Sequence, residues 1–181
     1  MTNRLFLALD LPEPTIEYIT KLRNEIYNSS EKVKWESEDK LHLTIKFLGD
    51  VGDYLTELII DRMEMFAFPK IDAEFSEFSF FKKNNELKIL YAGINENSEM
   101  IKLHSKIEAE CGLLGFKKED RKFKPHLTLL RIKGNENLNK LTSFNKKEIN
   151  HKFMITSFSL IKSELKSTGS EYSIIKSFNL I

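Results

Sequence analysis

Two histidines, His42 and His126, each stand two residues before a threonine, Thr44 and Thr128, in the segments KLHLTIKFLG (40–49) and KPHLTLLRIKG (124–134). On a strand, residues i and i+2 share a face, so each histidine keeps its threonine beside it. Leu43 and Ile45, like Leu127 and Leu129, fall on the opposite face and suit packing against helices. Two such strands opposed across a groove would bring two imidazoles and two hydroxyls to one small volume. With an ordinary pKa of ~6.5, one ring can be neutral while the other is protonated near neutral pH. One then accepts a proton from a nucleophile while the other donates to a leaving group. Threonine hydroxyls donate to non-bridging oxygens, which completes the parts needed for in-line displacement at phosphorus. Arg131 would add a two-pronged grip on phosphate. Strict alternation sets it on the face opposite Thr128, so this role requires a bulge or a strand end.

Other readings of the same residues are weaker. One His-x-Thr on a strand is ordinarily a partly buried histidine bonded to its neighbours, but the pair repeats in register. A metal would need a third ligand, and neither HExxH nor HxH occurs, while Asp50 follows the Gly49 turn. No metal or other cofactor is expected. The single cysteine, Cys111, excludes an intramolecular disulfide and a CxxC site, and has no patterned partner as a nucleophile. His104 and His151 read as surface or boundary residues, and Trp35 as a core anchor. Phe47 and Phe81 read as core first and as base contacts second.

The elements that must position these groups follow from apolar periodicity. Arg4–Leu9 reads as a buried strand, and PEPTIEYITKLRNEI (12–26) as a helix carrying Ile16, Ile19, Leu22, Arg23 and Ile26 on one face. Val33–Glu36 and Leu41–Leu48 read as strands, the second closed by Gly49. Another helix begins at Asp53. Ile71–Phe81 alternates with a slip at Ser76–Glu77, the mark of a bulged strand. Asn84–Asn85 turns the chain into LKILYAGI (87–94), and a helix from about Glu99 to Cys111 is stopped by Gly112. After the second motif strand come a polar Asn-rich linker and two strands, Lys152–Lys162 and Tyr172–Leu180, joined by the turn STGS (167–170).

The halves repeat. His126 and Thr128 lie 84 residues after His42 and Thr44, and the same offset lays Lys88 on Arg4 and Ala92 on Ala8. Each half reads strand, helix, connection, motif strand. The expectation is one domain over 1–181, built from two similar lobes facing each other about an approximate two-fold axis.

Composition fits this picture: 41% hydrophobic and 30% charged residues with 14 phenylalanines describe a globular chain with a sizeable core. A net charge of +1 gives no global attraction to nucleic acid. Lys117, Lys118, Arg121, Lys122 and Lys124 form one local basic run, either a patch for a polyanion or a solvated loop. RLFLALDLP is too short and too broken for a signal peptide, and no apolar run approaches the ~18 residues of a membrane span. A cytoplasmic monomer is expected.

RLFLALDLP, VKWESEDKLHLTIKFLGDV, FKPHLTLLR and LIKSELKSTGSEYSII together resemble the 2H phosphoesterase superfamily, most closely its RNA 2′,3′-cyclic phosphodiesterases, also called 2′–5′ RNA ligases. One departure is Tyr91 where the family often has Trp. The resemblance implies an α+β, bilobal fold with an antiparallel sheet in each lobe and the site in the central groove. It implies metal-independent opening of an RNA 2′,3′-cyclic phosphate to a 2′-phosphomonoester, and 2′–5′ ligation where the same groups join the cyclic phosphate to a 5′-hydroxyl. It also implies His42 as general acid, His126 as general base, and Thr44, Thr128 and Arg131 as phosphate-binding. The residues alone leave open which histidine is which. Two further readings stand beside it: an RNA-end-binding module with little turnover, and the same chemistry on a 2′–5′ oligonucleotide or a cyclic ADP-ribose phosphate. Paired acid and base argue against a pure binder.

Overall fold

Eight strands and four helices are arranged as two four-stranded antiparallel sheets with helices packed on them, seen in a computed structural model that describes residues 2–28, 33–134, 136–167 and 169–181. The first sheet has the order β2 (Leu43–Gly52), β1 (Thr2–Leu9), β7 (Ser157–Lys166), β8 (Gly169–Asn179). The second has the order β5 (His126–Arg131), β4 (Glu86–Ile94), β3 (Ile71–Lys83), β6 (Lys152–Ile155). Both motif strands, β2 and β5, are thus edge strands, and they face one another. The α+β fold with an antiparallel sheet in each half is as the resemblance implied.

Helix α1 (Glu13–Tyr27) starts at Pro12 and Pro14, whose missing N–H groups cost nothing in a first turn, and ends at Asn28 in the left-handed region. It buries Ile19, Arg23 and Tyr27. Helix α2 (Asp53–Glu64) buries Ile59 and Met63, and α3 (Ser98–Leu113) buries Met100, Leu103, Ile107 and Cys111. Leu5, Leu7 and Leu9 of β1 meet this helical layer, whereas Phe6 and Ala8 face the other side with Ile161 and Tyr172. The strand is central and buried on both faces, which explains its unbroken apolar run.

Several sequence expectations need correction. Val33–Glu36 is not a strand: it makes one ladder-like bond, Glu36 N–H to the Leu129 carbonyl at 2.9 Å. β2 runs through Gly49 rather than ending there, because a bulge at Leu48 with Gly49 at φ 76° lets pairing with β1 continue. α3 passes Gly112 and is terminated at Gly115, φ 89°. The Asn-rich linker contains a short helix, α4 (Leu138–Thr142), capped by the Asn137 side chain accepting from Lys140 N–H. The expected strand Lys152–Lys162 is two strands: β6 pairs with β3, then the chain crosses at Thr156 and β7 pairs with β1. The turn read at 167–170 includes Thr168, outside the described residues. The expected bulge in β3 falls between Phe75 and Phe78, and Asn84 and Asn85 form the turn at φ 52° and 64°.

The repeat register is also adjusted by one residue. Ala8 pairs with Thr44, but Tyr91, not Ala92, pairs with Thr128. The motif strands therefore repeat at 84 and their partner strands at 83, because the connecting segments differ in length.

Candidate active site

The alternation rule fails at one residue in each motif strand, and the site depends on that failure. β1 pairs Ala8 with Thr44 and Leu7 with Lys46, leaving Ile45 unpaired; β4 pairs Tyr91 with Thr128 and Leu90 with Leu130, leaving Leu129 unpaired. Each bulge shifts the face of everything after it by one position. Arg131 consequently returns to the face of His126 and Thr128. Phe47 takes the equivalent place beside His42 and Thr44. Lys46, by contrast, is sent inward, where its ammonium meets Glu108 of α3 at 2.7 Å and the Lys117 carbonyl at 3.0 Å.

One small, enclosed cavity of about 50 Å³ lies between the sheets. Its walls are the triplets His42, Thr44, Phe47 and His126, Thr128, Arg131, with Glu36, Lys40, Phe6 and Tyr172 closing it. All five residues read as the site from sequence are therefore brought together. A larger concavity of about 590 Å³, near Asp72, Glu74 and Glu96, carries none of these groups. Cys111 is buried with its thiol pushed up to about 11 by burial, and His151 bonds Thr15 at 3.1 Å and stacks on Tyr18, both away from the cavity. His104 stacks on Phe123, and Trp35 packs edge-on against Tyr27 and Phe144 as a core anchor.

Each imidazole is held in a matching way. The His126 Nδ1–H donates to the Lys124 carbonyl at 2.7 Å, and His42 likewise donates to the carbonyl of Lys40. Because a carbonyl only accepts, the tautomer of His126 is fixed and its Nε2 lone pair is left for chemistry. His42 is packed between Phe6 and Tyr172 (4.9 and 5.4 Å between centroids), and His126 between Phe81 and Tyr91 (4.8 and 5.5 Å). Burial is the main reason both pKa values fall below the ordinary histidine range, His42 to about 4. Neighbouring positive charge adds to it: Arg131 bears on both rings, and His126 on His42. Two cationic rings cannot coexist cheaply beside the guanidinium. A bound phosphate anion would reverse that balance and favour protonation.

Arg131 is held at 3.2 Å by Glu36 and hydrogen-bonds Tyr172 of β8. Glu36 is itself fixed: its carbonyl accepts from Arg23 at 2.9 Å and its N–H holds the bulge carbonyl of Leu129. No side chain of the basic run lines the cavity, although the Lys124 charge helps to hold the His126 pKa down. Lys117 pairs with Asp120, Arg121 with Glu119, Lys122 with Glu96, and the Lys124 ammonium donates to Tyr91 Oη at 2.6 Å.

With that geometry in view, comparison with known proteins is decisive for the family. The model of the 2′-5′ RNA ligase superfamily matches residues 11–166. The chain belongs to that superfamily. An RNA 2′,3′-cyclic phosphodiesterase of Methanocaldococcus jannaschii is 30% identical over 96% of this chain and 98% of its own length. One of Methanothermobacter thermautotrophicus is 26% identical over 99% of this chain and all of its own. In fold, the chain superposes on TT0787 of Thermus thermophilus (TM-score 0.84, 22% identity, 98% and 97% covered) and on Escherichia coli LigT crystallised with 3′-AMP (0.82, 22%, 99% of each).

Within this superfamily member, sequence reasoning missed Glu36, Lys40, Phe6 and Tyr172 as lining residues. Lys40 carries the one available signal, lying two residues before His42 as Lys124 lies before His126. Phe47 is corrected: it is 73% exposed at the cavity, not core, because the bulge at Ile45 turns it outward. Phe81 packs on Tyr91 and supports His126 from behind, without lining the cavity.

Proposed function

We propose that the protein hydrolyses RNA 2′,3′-cyclic phosphate ends to 2′-phosphomonoesters by paired-histidine acid–base catalysis. The observation that carries this reading is the single cavity walled by both His-x-Thr pairs and Arg131. His126, with its Nδ1–H committed to the Lys124 carbonyl, acts as the base that takes a proton from water. The water oxygen bonds to phosphorus, the P–O3′ bond breaks, and His42 delivers its proton to the departing O3′. Thr44, Thr128 and Arg131 hold the non-bridging oxygens, whose charge grows toward the transition state. Two properties of the relatives, their names as RNA 2′,3′-cyclic phosphodiesterases and their near-complete coverage of this chain, support the substrate class. A 5′-hydroxyl taking the place of the attacking water, deprotonated by His126 while His42 protonates the departing O3′, would give 2′–5′ ligation.

The test is incubation with adenosine 2′,3′-cyclic phosphate and with an oligonucleotide ending in a cyclic phosphate, both in EDTA. Exclusive formation of the 2′-phosphate is expected. Formation of the 3′-phosphate would contradict the assignment of the leaving oxygen, and loss of activity in EDTA would replace the two-histidine scheme with a metal-dependent one.

A further inference from the structure

A carboxylate in a phosphate-binding cavity is electrostatically contrary, and Glu36 is one. It lines the same small cavity as the histidines, and its side chain is only 22% exposed. Its backbone is pinned on both sides, by Arg23 at the carbonyl and by Leu129 at the N–H, which fixes the point from which its side chain enters the cavity. Its Oε1 sits 3.2 Å from Arg131 Nε. Of the charged and titratable groups around it, Arg131 comes from β5, Arg23 from α1, Tyr172 from β8, Lys40 and His42 from its own connection, and His126 from across the cavity.

Such a group distinguishes ligands by charge. The cyclic phosphodiester carries one negative charge at all working pH values. The monoester product carries a second above its pKa of ~6. A tightly held dianion would block the site after every turnover. We propose that Glu36 is a charge filter: it shares Arg131 with the bound phosphate, admits the monoanionic cyclic diester and weakens the grip on the dianionic monoester. The inference rests on the hydrolytic reading above and deepens it by assigning a specificity-determining residue. One added charge at about 6 Å, with an effective dielectric of roughly 40, corresponds to about a tenfold difference in affinity.

The experiment compares wild type, Glu36→Gln and Glu36→Asp between pH 5 and 8. It measures KM for adenosine 2′,3′-cyclic phosphate and the competitive inhibition constant Ki of adenosine 2′-monophosphate. In E36Q the ratio of Ki to KM should fall about tenfold at pH 8 and much less at pH 5, where the product is a monoanion. E36D keeps the carboxylate and should keep the wild-type ratio, which separates charge from damage to the fold. KM and Ki are read in the same protein at the same pH, so changes in the histidines that affect both ligands alike cancel in the ratio. Parallel changes in Ki and KM in E36Q, or weaker product binding there, would overturn the filter and leave Glu36 as a support for Arg131. Failure of the wild type to turn over the cyclic nucleotide would refute the hydrolytic reading itself, and the filter with it.

Discussion

His42 and His126 are alike in spacing, in their carbonyl partners and in burial, and their shared surroundings set the pH at which they work. For the free enzyme the acid must be protonated and the base neutral, and both imidazoles titrate below the ordinary value, His42 at about 4. The pH profile of kcat/KM should therefore have its optimum on the acid side of ~6.5 and fall as pH rises, because the acid is then deprotonated. Bound phosphate raises both pKa values, so the descending limb of kcat should lie at higher pH than that of kcat/KM. Coincident limbs, or a kcat/KM optimum well above 6.5, would contradict this account of the site's electrostatics. The apparent values belong to the coupled pair rather than to either ring. Phe47 is the other residue whose role can be tested alone. Standing 73% exposed at the cavity, it offers a face on which a base can stack. Stacking of this kind is worth ~1–3 kcal/mol, so Phe47→Ala should raise KM for a cyclic nucleotide about tenfold while leaving kcat largely alone. An unchanged KM would show that the base lies elsewhere.

At the scale of the elements, the two motif strands, their partner strands and the helix after each could be read from apolar periodicity and the repeat. What periodicity could not show was the bulge at Ile45 and at Leu129. Both are ordinary apolar residues in apolar runs, and a bulge there is visible only in the pairing with β1 and β4. The conflict between Arg131 and strict alternation was the one trace of it in the sequence. The division of Lys152–Lys162 between two sheets was hidden for a similar reason: Thr156 is no turn residue, and the crossing is set by which strand edge each half meets. The same bulge that exposes Phe47 buries Lys46 against Glu108, with both side chains almost fully enclosed. Glu108 Oε2 also accepts from Glu119 N–H at 3.3 Å, so this pair ties β2 to α3 and to the loop that leads into β5. Removing one partner leaves a buried charge without its close counter-ion, and Lys46→Met or Glu108→Leu should each cost ~3–5 kcal/mol in denaturant unfolding. The K46M/E108L double variant should recover much of that loss. Equal, additive losses would mean that the residues act independently rather than as a pair.

For the whole molecule, the consequence of the duplication is that two sheet edges, each bearing histidine and threonine two residues apart, close on one cavity. That convergence could be inferred from spacing alone, since a repeated half is most simply packed against its copy. The asymmetry inside the cavity could not. Arg131 on one side answers to Phe47 on the other, and Glu36 enters from the connection between α1 and β2, just ahead of a 3-10 turn at Glu38–Lys40. The repeated His-x-Thr pairs thus line a cavity with a guanidinium on one side and an aromatic ring on the other. The central claim is that both imidazoles act on one phosphorus in one transition state. It is tested most directly by the hydrolysis rate of adenosine 2′,3′-cyclic phosphate for the wild type, His42→Ala, His126→Ala and the double variant, each checked for native folding. Each single change should lower kcat/KM by ~10²–10⁴, and the double variant should be little worse than the poorer single one, because acid and base act as a unit. Full activity in either single variant, or losses that multiply in the double, would contradict it.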